Sequence, residues 1–126
     1  MRAADTNLLV RIITRDDEAQ AGAAEKFVAP GAFIPHIVLV ETVWVLDAVY
    51  SLGRRQLATA VDMLLNHQCL AVQNADVVAA ALKHFRQHAG VGFSDCLTLE
   101  VARRFGHLPL GAFDRRLSRL PDVQRV

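Results

Sequence analysis

Short apolar segments alternate with stretches of helical period along the whole chain, and this constrains the fold more than any other feature. Met1 to Asp5, Ala32 to Ile34, Leu70 to Gln73, Leu108 to Phe113 and Val123 to Val126 read as five strands. Between them lie helical patterns over Asn7–Thr14, Asp17 to Val28, Pro35 to Ser51, Arg54–Asn66, Val77–His88 and Ser94 to Phe105, then a helical turn over Asp114–Leu120. Two consecutive strands joined through helices cannot form a hairpin, so the order predicts an α/β fold: a central parallel sheet with helices on both faces. No Pro/Gly/Ser linker or repeat divides the 126 residues, and 52% are hydrophobic, enough for one domain over 1–126 with a core of its own.

Punctuation supports the helices. Asp17 can cap the second, with Gln20 completing a capping box. Pro30-Gly31 breaks it, and Pro35 suits the first turn of the next. Gly53, Gly90 and Gly106 fall at helix ends. Asn74 or Asp76 can cap the fifth helix and Ser94 the sixth.

Four carboxylates lie in apolar company: Asp5 ending the first strand, Glu41 within Ile37–Leu46, Asp95 opening an apolar helix, and Asp114 ending the fourth strand. Such groups are costly unless paired, hydrogen-bonded or bound to a cation. In an open parallel sheet the ligand site lies beyond the carboxyl ends of the strands, where Asp5 and Asp114 belong. If the fold gathers the four, their repulsion calls for a divalent metal.

The net charge of +1 hides an imbalance. Setting the four acids aside leaves fourteen basic residues against nine acids, and all but Lys26 and Lys83 of the basic set are Arg. Arg suits phosphate through its planar donor fork. Solvated helix faces are the plainer account. Cys69 and Cys96 have no metal-ligand spacing and read as reduced core residues of a cytosolic protein. No apolar run is long and charge-free enough to span a membrane, and the N-terminus lacks the pattern of a signal peptide.

Taken in order, Asp5-Thr6-Asn7-Leu8-Leu9, the Glu41 helix, Phe93-Ser94-Asp95-Cys96 and Ala112-Phe113-Asp114-Arg115-Arg116-Leu117 resemble the PIN domain family, and within it the VapC-type toxins of bacterial toxin–antitoxin pairs. The resemblance covers essentially the whole chain. It implies strand order 3-2-1-4-5, with Asp5 and Asp114 at neighbouring strand ends. It also implies a cytoplasmic Mg²⁺- or Mn²⁺-dependent endoribonuclease, the toxin of a type II toxin–antitoxin pair, leaving 5′-phosphate and 3′-hydroxyl ends. The family's acids map onto Asp5, Glu41, Asp95 and Asp114, with the three Asp as principal ligands. Thr6 and Asn7 occupy positions that help hold the site. The family often carries Thr or Ser two residues before the last Asp; this chain has Ala112, and Ser94 is a candidate to supply the hydroxyl. A homodimer and a groove receiving an antitoxin segment are implied for the apolar helices Leu8 to Ile13 and Val38 to Tyr50.

Arg115, Arg116 and Arg103 are candidates to hold the RNA backbone, with helix-end stabilisation the alternative for Arg103 and Arg104. Trp44 and Phe85 have the chemistry to stack bases but are expected in the core. His84 and His88, four apart on one helix, lack a third ligand and are expected on a solvated face. The rival to catalysis is a PIN-like module that binds RNA or a partner without cutting. A receiver domain would need paired early acids and a late Lys, and a haloacid dehalogenase-type phosphatase a second Asp at position 7, which is Asn7.

Overall fold

The computed structural model describes residues 1–126, which divide into two compact units, Met1–Ala75 and Asp76–Val126. The first holds β1 (Arg2–Ala3), α1 (Thr6–Thr14), α2 (Glu18–Val28), β2 (Ala32–Ile34), α3 (His36–Ala48), α4 (Arg54–Asn66) and β3 (Leu70–Val72). The second holds α5 (Ala75–Gln87, whose first residue closes the first unit), α6 (Phe93–Arg104), β4 (Leu110–Ala112), a single 3-10 turn (Leu117–Arg119) and β5 (Val123–Arg125). The expected helices and strands are all present, and every strand pair is parallel.

In the first unit β2 lies between β1 and β3, with Arg2 opposite Ala32 and Ile34 opposite Val72. Ala32 and Ile34 are fully buried because helices cover the ladder, as parallel pairing requires. Leu9, Val10, Val28, Leu39, Leu46, Val61 and Leu64 complete this core. All strands but β2 are shorter than the sequence suggests. Asp5 already takes the N-cap position of α1, which ends β1 two residues early. Pro109 has no amide hydrogen, and the β4 ladder begins after it.

Local bonds fix where α3 begins. The amide of His36 donates to Gln73 Oε1 at 2.8 Å, and His36 Nε2 lies 2.7 Å from the Gln73 carbonyl. The start of α3 is thereby tied to the end of β3. The N-cap of α2 is half the expected box: Asp17 accepts from the Gln20 amide at 3.0 Å, but the Gln20 side chain turns to Arg11 Nε. Arg11 also reaches Asp16 and Tyr50, and Tyr50 donates to Asp16 at 2.7 Å.

In the second unit β4 pairs with β5, Leu110 opposite Val123. Gly90 and Gly106 take left-handed conformations after α5 and α6, as expected of glycines closing helices. Val78, Leu82, Phe85, Phe93 and Leu99 form the core, with Phe85 and Phe93 edge to face. The N-cap of α6 is Gly92, not Ser94. The helix therefore starts two residues earlier than the Ser suggested, and Asp95 is the third residue of its first turn.

The buried acid of the chain is Glu100, 7% exposed. Its carboxylate lies 2.6 Å from His84 Nε2 and 3.3 Å from Arg103 Nε. Arg103 extends the chain to Asp122 at 2.7 Å, and Arg104 pairs with Asp76. His84 is thus a half-buried partner of α6 and not a residue of a solvated face. Both cysteines are free, and no helix is long and apolar enough to cross a membrane.

Two outcomes follow. The Tyr50 hydroxyl, ahead of Thr14 and Arg11, holds the Asp16 carboxyl below the usual aspartate range. A depressed acid stabilises the fold above its ordinary pKa, and that stabilisation is lost as pH falls through the lowered value. Tyr50→Phe should move the Asp16 carboxyl titration, followed by NMR, back up toward the ordinary value; an unmoved titration refutes the role of the hydroxyl. Glu100→Ala strips His84 and Arg103 of a shared acceptor. It should cost about 1–3 kcal/mol in urea unfolding, with the m-value unchanged.

Candidate metal centre and nucleic-acid interface

Asp5 stands where β1 passes into α1. The ladder reaches its threshold, since the Ala4 amide donates to the Phe33 carbonyl at 2.9 Å. As the N-cap residue, Asp5 has the extended backbone of a capping aspartate, yet its carboxylate makes no capping bond. The side chain that most often answers the helix's free amides is here left exposed. Next to it, Thr6 is 3% exposed and its Oγ1 has no hydrogen-bond partner. A buried orphan hydroxyl costs about 1–3 kcal/mol, so Thr6 works against stability here. Asn7 is exposed.

Glu41 also belongs to the carboxyl side of this ladder, because α3 follows directly on β2. It is five residues beyond the start of α3, about 7.5 Å along the axis. It is exposed and unpaired, one turn from Ile37 and from Trp44. Trp44 is 64% exposed, against the expectation of core packing. Apolar residues spread around most of the helix, and its Leu39, Thr42, Val43 and Leu46 face is the buried one.

In the second unit Asp95 is the third residue of α6, half-buried, with Ser94 exposed beside it. Burial pushes its carboxyl above the usual range, and the negative charge of Asp114 pushes it further. The helix N-terminus favours an anion here but does not offset these two effects. Asp114 is held by a tight turn at the end of β4. Its Oδ1 accepts from the Leu117 amide at 2.9 Å, and its carbonyl accepts from the Ser118 amide at 3.1 Å and hydroxyl at 2.6 Å. No Lys or Arg forms an ion pair with either Asp. Two carboxylates that repel each other, one desolvated, without a basic partner, suit a hard divalent cation, which takes oxygen donors.

The structure corrects one premise. Asp5, Glu41 and Asp114 are exposed, so flanking apolar residues do not make them costly. No three His, Cys, Asp or Glu side chains are gathered closely enough to hold a metal by themselves. The donor set still fits Mg²⁺, which is usually bound through one or two carboxylates and completed by water and substrate phosphate.

The arginines divide by their partners. Arg103 and Arg104 are engaged with Glu100, Asp122 and Asp76, which removes Arg103 as a free phosphate ligand. Arg115, Arg116 and Arg119 are exposed and make no ion pair. Arg116 lies over Gly90, where a Cβ would come within 2.7 Å of its Cδ. Phe113, beside Asp114, is 79% exposed. Sequence reasoning passed over it; strand alternation from the half-buried Ala112 was the available signal.

The chain is 25% identical to a VapC ribonuclease of Aquifex aeolicus (strain VF5), over 95% of this chain and 92% of that protein. Among solved structures it is similar to that of Mycobacterium tuberculosis VapC20, a sarcin–ricin loop cleaving toxin, with 24% identity, 94% of each chain covered and a TM-score of 0.41. The PIN domain model matches residues 3–123, nearly the whole of the sequence, and the chain belongs to the PIN domain family.

Proposed function

We propose that the chain is a divalent-metal-dependent endoribonuclease, the toxin component of a type II toxin–antitoxin pair. The observation that carries this reading is the Asp95–Asp114 pair, mutually repulsive and without a basic partner, in a chain of the PIN family. Similarity to a VapC ribonuclease supports the substrate class. The proposed ligands are Asp95 and Asp114, with Asp5 and Glu41 as the further acids of the family pattern, and Mg²⁺ or Mn²⁺ as the ion. Thr6, Asn7 and Ser94 are proposed to support them.

A bound divalent cation supplies Lewis-acid stabilisation of the scissile phosphate and lowers the pKa of an attacking water. The carboxylates fix the ion and orient substrate. Asp114 is suited to this because its turn leaves only one of its oxygens engaged. Asp95 is suited because its half-buried charge gains most from a cation. Arg115 and Arg116 have free guanidiniums to hold the RNA backbone, offsetting its repulsion from the acids. Ala112 offers no hydroxyl to Asp114; the Leu117 amide occupies one Asp114 oxygen instead. The work belongs in the cytoplasm, on RNA, under the control of an antitoxin. The apolar groove between α1 and α2, floored by Leu8, Ala24 and Phe27, suits the antitoxin segment. Self-association as a homodimer is part of the same reading.

Asp5→Asn and Asp95→Asn should each abolish Mn²⁺-dependent cleavage of total RNA; wild-type cleavage by a folded Asp5→Asn protein would sink the assignment. Protein that binds RNA but cuts it under neither metal would favour a binding module.

Asp95 makes a second prediction. A raised acid pKa means the folded chain holds the proton more tightly than the unfolded chain, so stability falls as pH climbs through the ordinary aspartate value toward the raised one. In metal-free protein Asp95→Asn should therefore raise Tm at pH 7 and leave it unchanged at pH values below both pKa values. Excess Mn²⁺ should raise the wild-type Tm and not that of Asp95→Asn. Equal Tm values for the two metal-free proteins at pH 7 would show that the repulsion is not felt.

Charge reversal at Arg115 and Arg116 should weaken RNA binding and flatten its salt dependence. A salt series indistinguishable from wild type would count against these residues.

A further inference from the structure

Phe113 is the most exposed aromatic side chain of the protein, at 79%, and it stands between a strand end and an acid. Its backbone is not loose. Ala112, before it, is paired in the β4–β5 ladder, and Asp114, after it, is locked by three hydrogen bonds from Leu117 and Ser118. The ring is therefore held out into water by a fixed turn. Its sequence neighbours beyond Asp114 are charged: Arg115 and Arg116 are exposed and make no ion pair. A protein-docking patch gathers apolar side chains around an aromatic, with charged groups depleted at its centre. Phe113 is instead followed within three residues by two guanidiniums without ion pairs, and an aromatic beside basic groups is the combination that binds single-stranded nucleic acid, where rings stack bases and cations track phosphates.

We propose that Phe113 is a stacking platform for an unpaired nucleobase, and that Arg115 and Arg116 hold the phosphates flanking that base. The inference rests on the ribonuclease reading for its ligand class and adds to it the subsite that grips one base. The ring is one residue from Asp114, so the stacked base belongs to a nucleotide close to the phosphate that the acids address. Stacking accepts any base, since every base has a π-face. Phe113 therefore selects for single-stranded RNA over duplex and not for a sequence. Duplex bases are already stacked on each other and have no face to offer.

The test uses the full chain in EDTA, which keeps binding separate from cleavage. Single-stranded RNA carrying 2-aminopurine at successive positions is titrated with wild type, Phe113→Leu, Phe113→Trp and the double variant Arg115→Glu/Arg116→Glu. Wild type should quench 2-aminopurine at one position. Phe113→Leu should lose the quench and bind roughly five- to hundredfold more weakly, the range that base–aromatic stacking supplies, with the salt slope unchanged because no charge is removed. Phe113→Trp should keep both, and the double Arg variant should flatten the salt slope while quenching at saturation. An RNA made abasic at the quenched position should bind wild type as weakly as intact RNA binds Phe113→Leu.

Wild-type affinity and quench in Phe113→Leu would overturn the proposal. So would undetectable RNA binding by wild type, or equal affinity for the abasic RNA. Unaltered RNA affinity with a smaller sedimenting species in Phe113→Leu would also overturn it, making Phe113 a protein contact. A quench lost on Phe113→Leu in a protein that cuts no RNA with Mn²⁺ would sustain the stacking site and remove the nuclease reading. Cleavage with no quench would do the reverse.

Discussion

Parallel pairing of very short strands is the constraint on which the first unit depends. A ladder of two or three residues has few hydrogen bonds and no hairpin to close it, so helical crossovers must bury it. The chain lengthens the ladder with bonds just outside the strands: Ala4 to Phe33, Ala32 to Cys69 and Gln73 to Ile34. The helices that bury the ladder necessarily begin at the carboxyl ends of the strands. The first residues past those ends therefore have fixed positions, and there the chain carries Asp5 at one crossover and the His36–Gln73 clasp at another. Packing demands a helix start at each place; what is not demanded is a carboxylate that declines to cap it.

The second unit solves a related problem through α6. Its C-terminal half is anchored by Glu100, Arg103 and Arg104 to α5 and to the turn before β5. Its N-terminal turn carries a carboxylate whose ionisation the surroundings oppose. A helix held at one end tolerates unfavourable charge at the other. The cost of the Asp95–Asp114 repulsion is borne by contacts that take no part in it. Local strain generally persists where the surrounding structure over-determines it.

The elements legible in the sequence were those with local causes. The bounds of β2 and α4 follow from Pro30-Gly31, Pro35 and Gly53, and the structure keeps them. Family-specific spacing singled out Asp5, Asp95 and Asp114, and each stands at or close to the end of an element. Less visible was anything set by contacts distant in sequence. Glu100 reads as one more polar residue on an amphipathic helix, and only His84, sixteen residues away, makes it a buried group. Trp44 was assigned to the core by residue type, whereas its place on the uncovered side of α3 leaves it exposed. Ser94 looked like a cap by propensity, but the cap is Gly92 and the helix begins at Phe93. The flanking apolar residues around the four acids misled for the same reason: neighbours in sequence are not neighbours in the fold.

Charge distribution makes sense only after these partners are known. The imbalance between arginines and acids is partly absorbed inside the protein: Arg11 and Arg15 by the acids around the α1–α2 turn, Arg103 and Arg104 by those around α6. What remains unpaired includes Arg115, Arg116 and Arg119, all within five residues of Asp114. Solvated basic groups have no intrinsic reason to leave nearby acids unpaired, since an exposed ion pair costs little to form. The turn after β4 keeps acid and base apart by aiming the Asp114 carboxylate at the Leu117 amide. Acidic and basic groups thus stay side by side without neutralising each other, as the proposed function requires. A phosphodiester substrate needs both at once: negative groups to hold a metal and positive groups to hold the chain being cut.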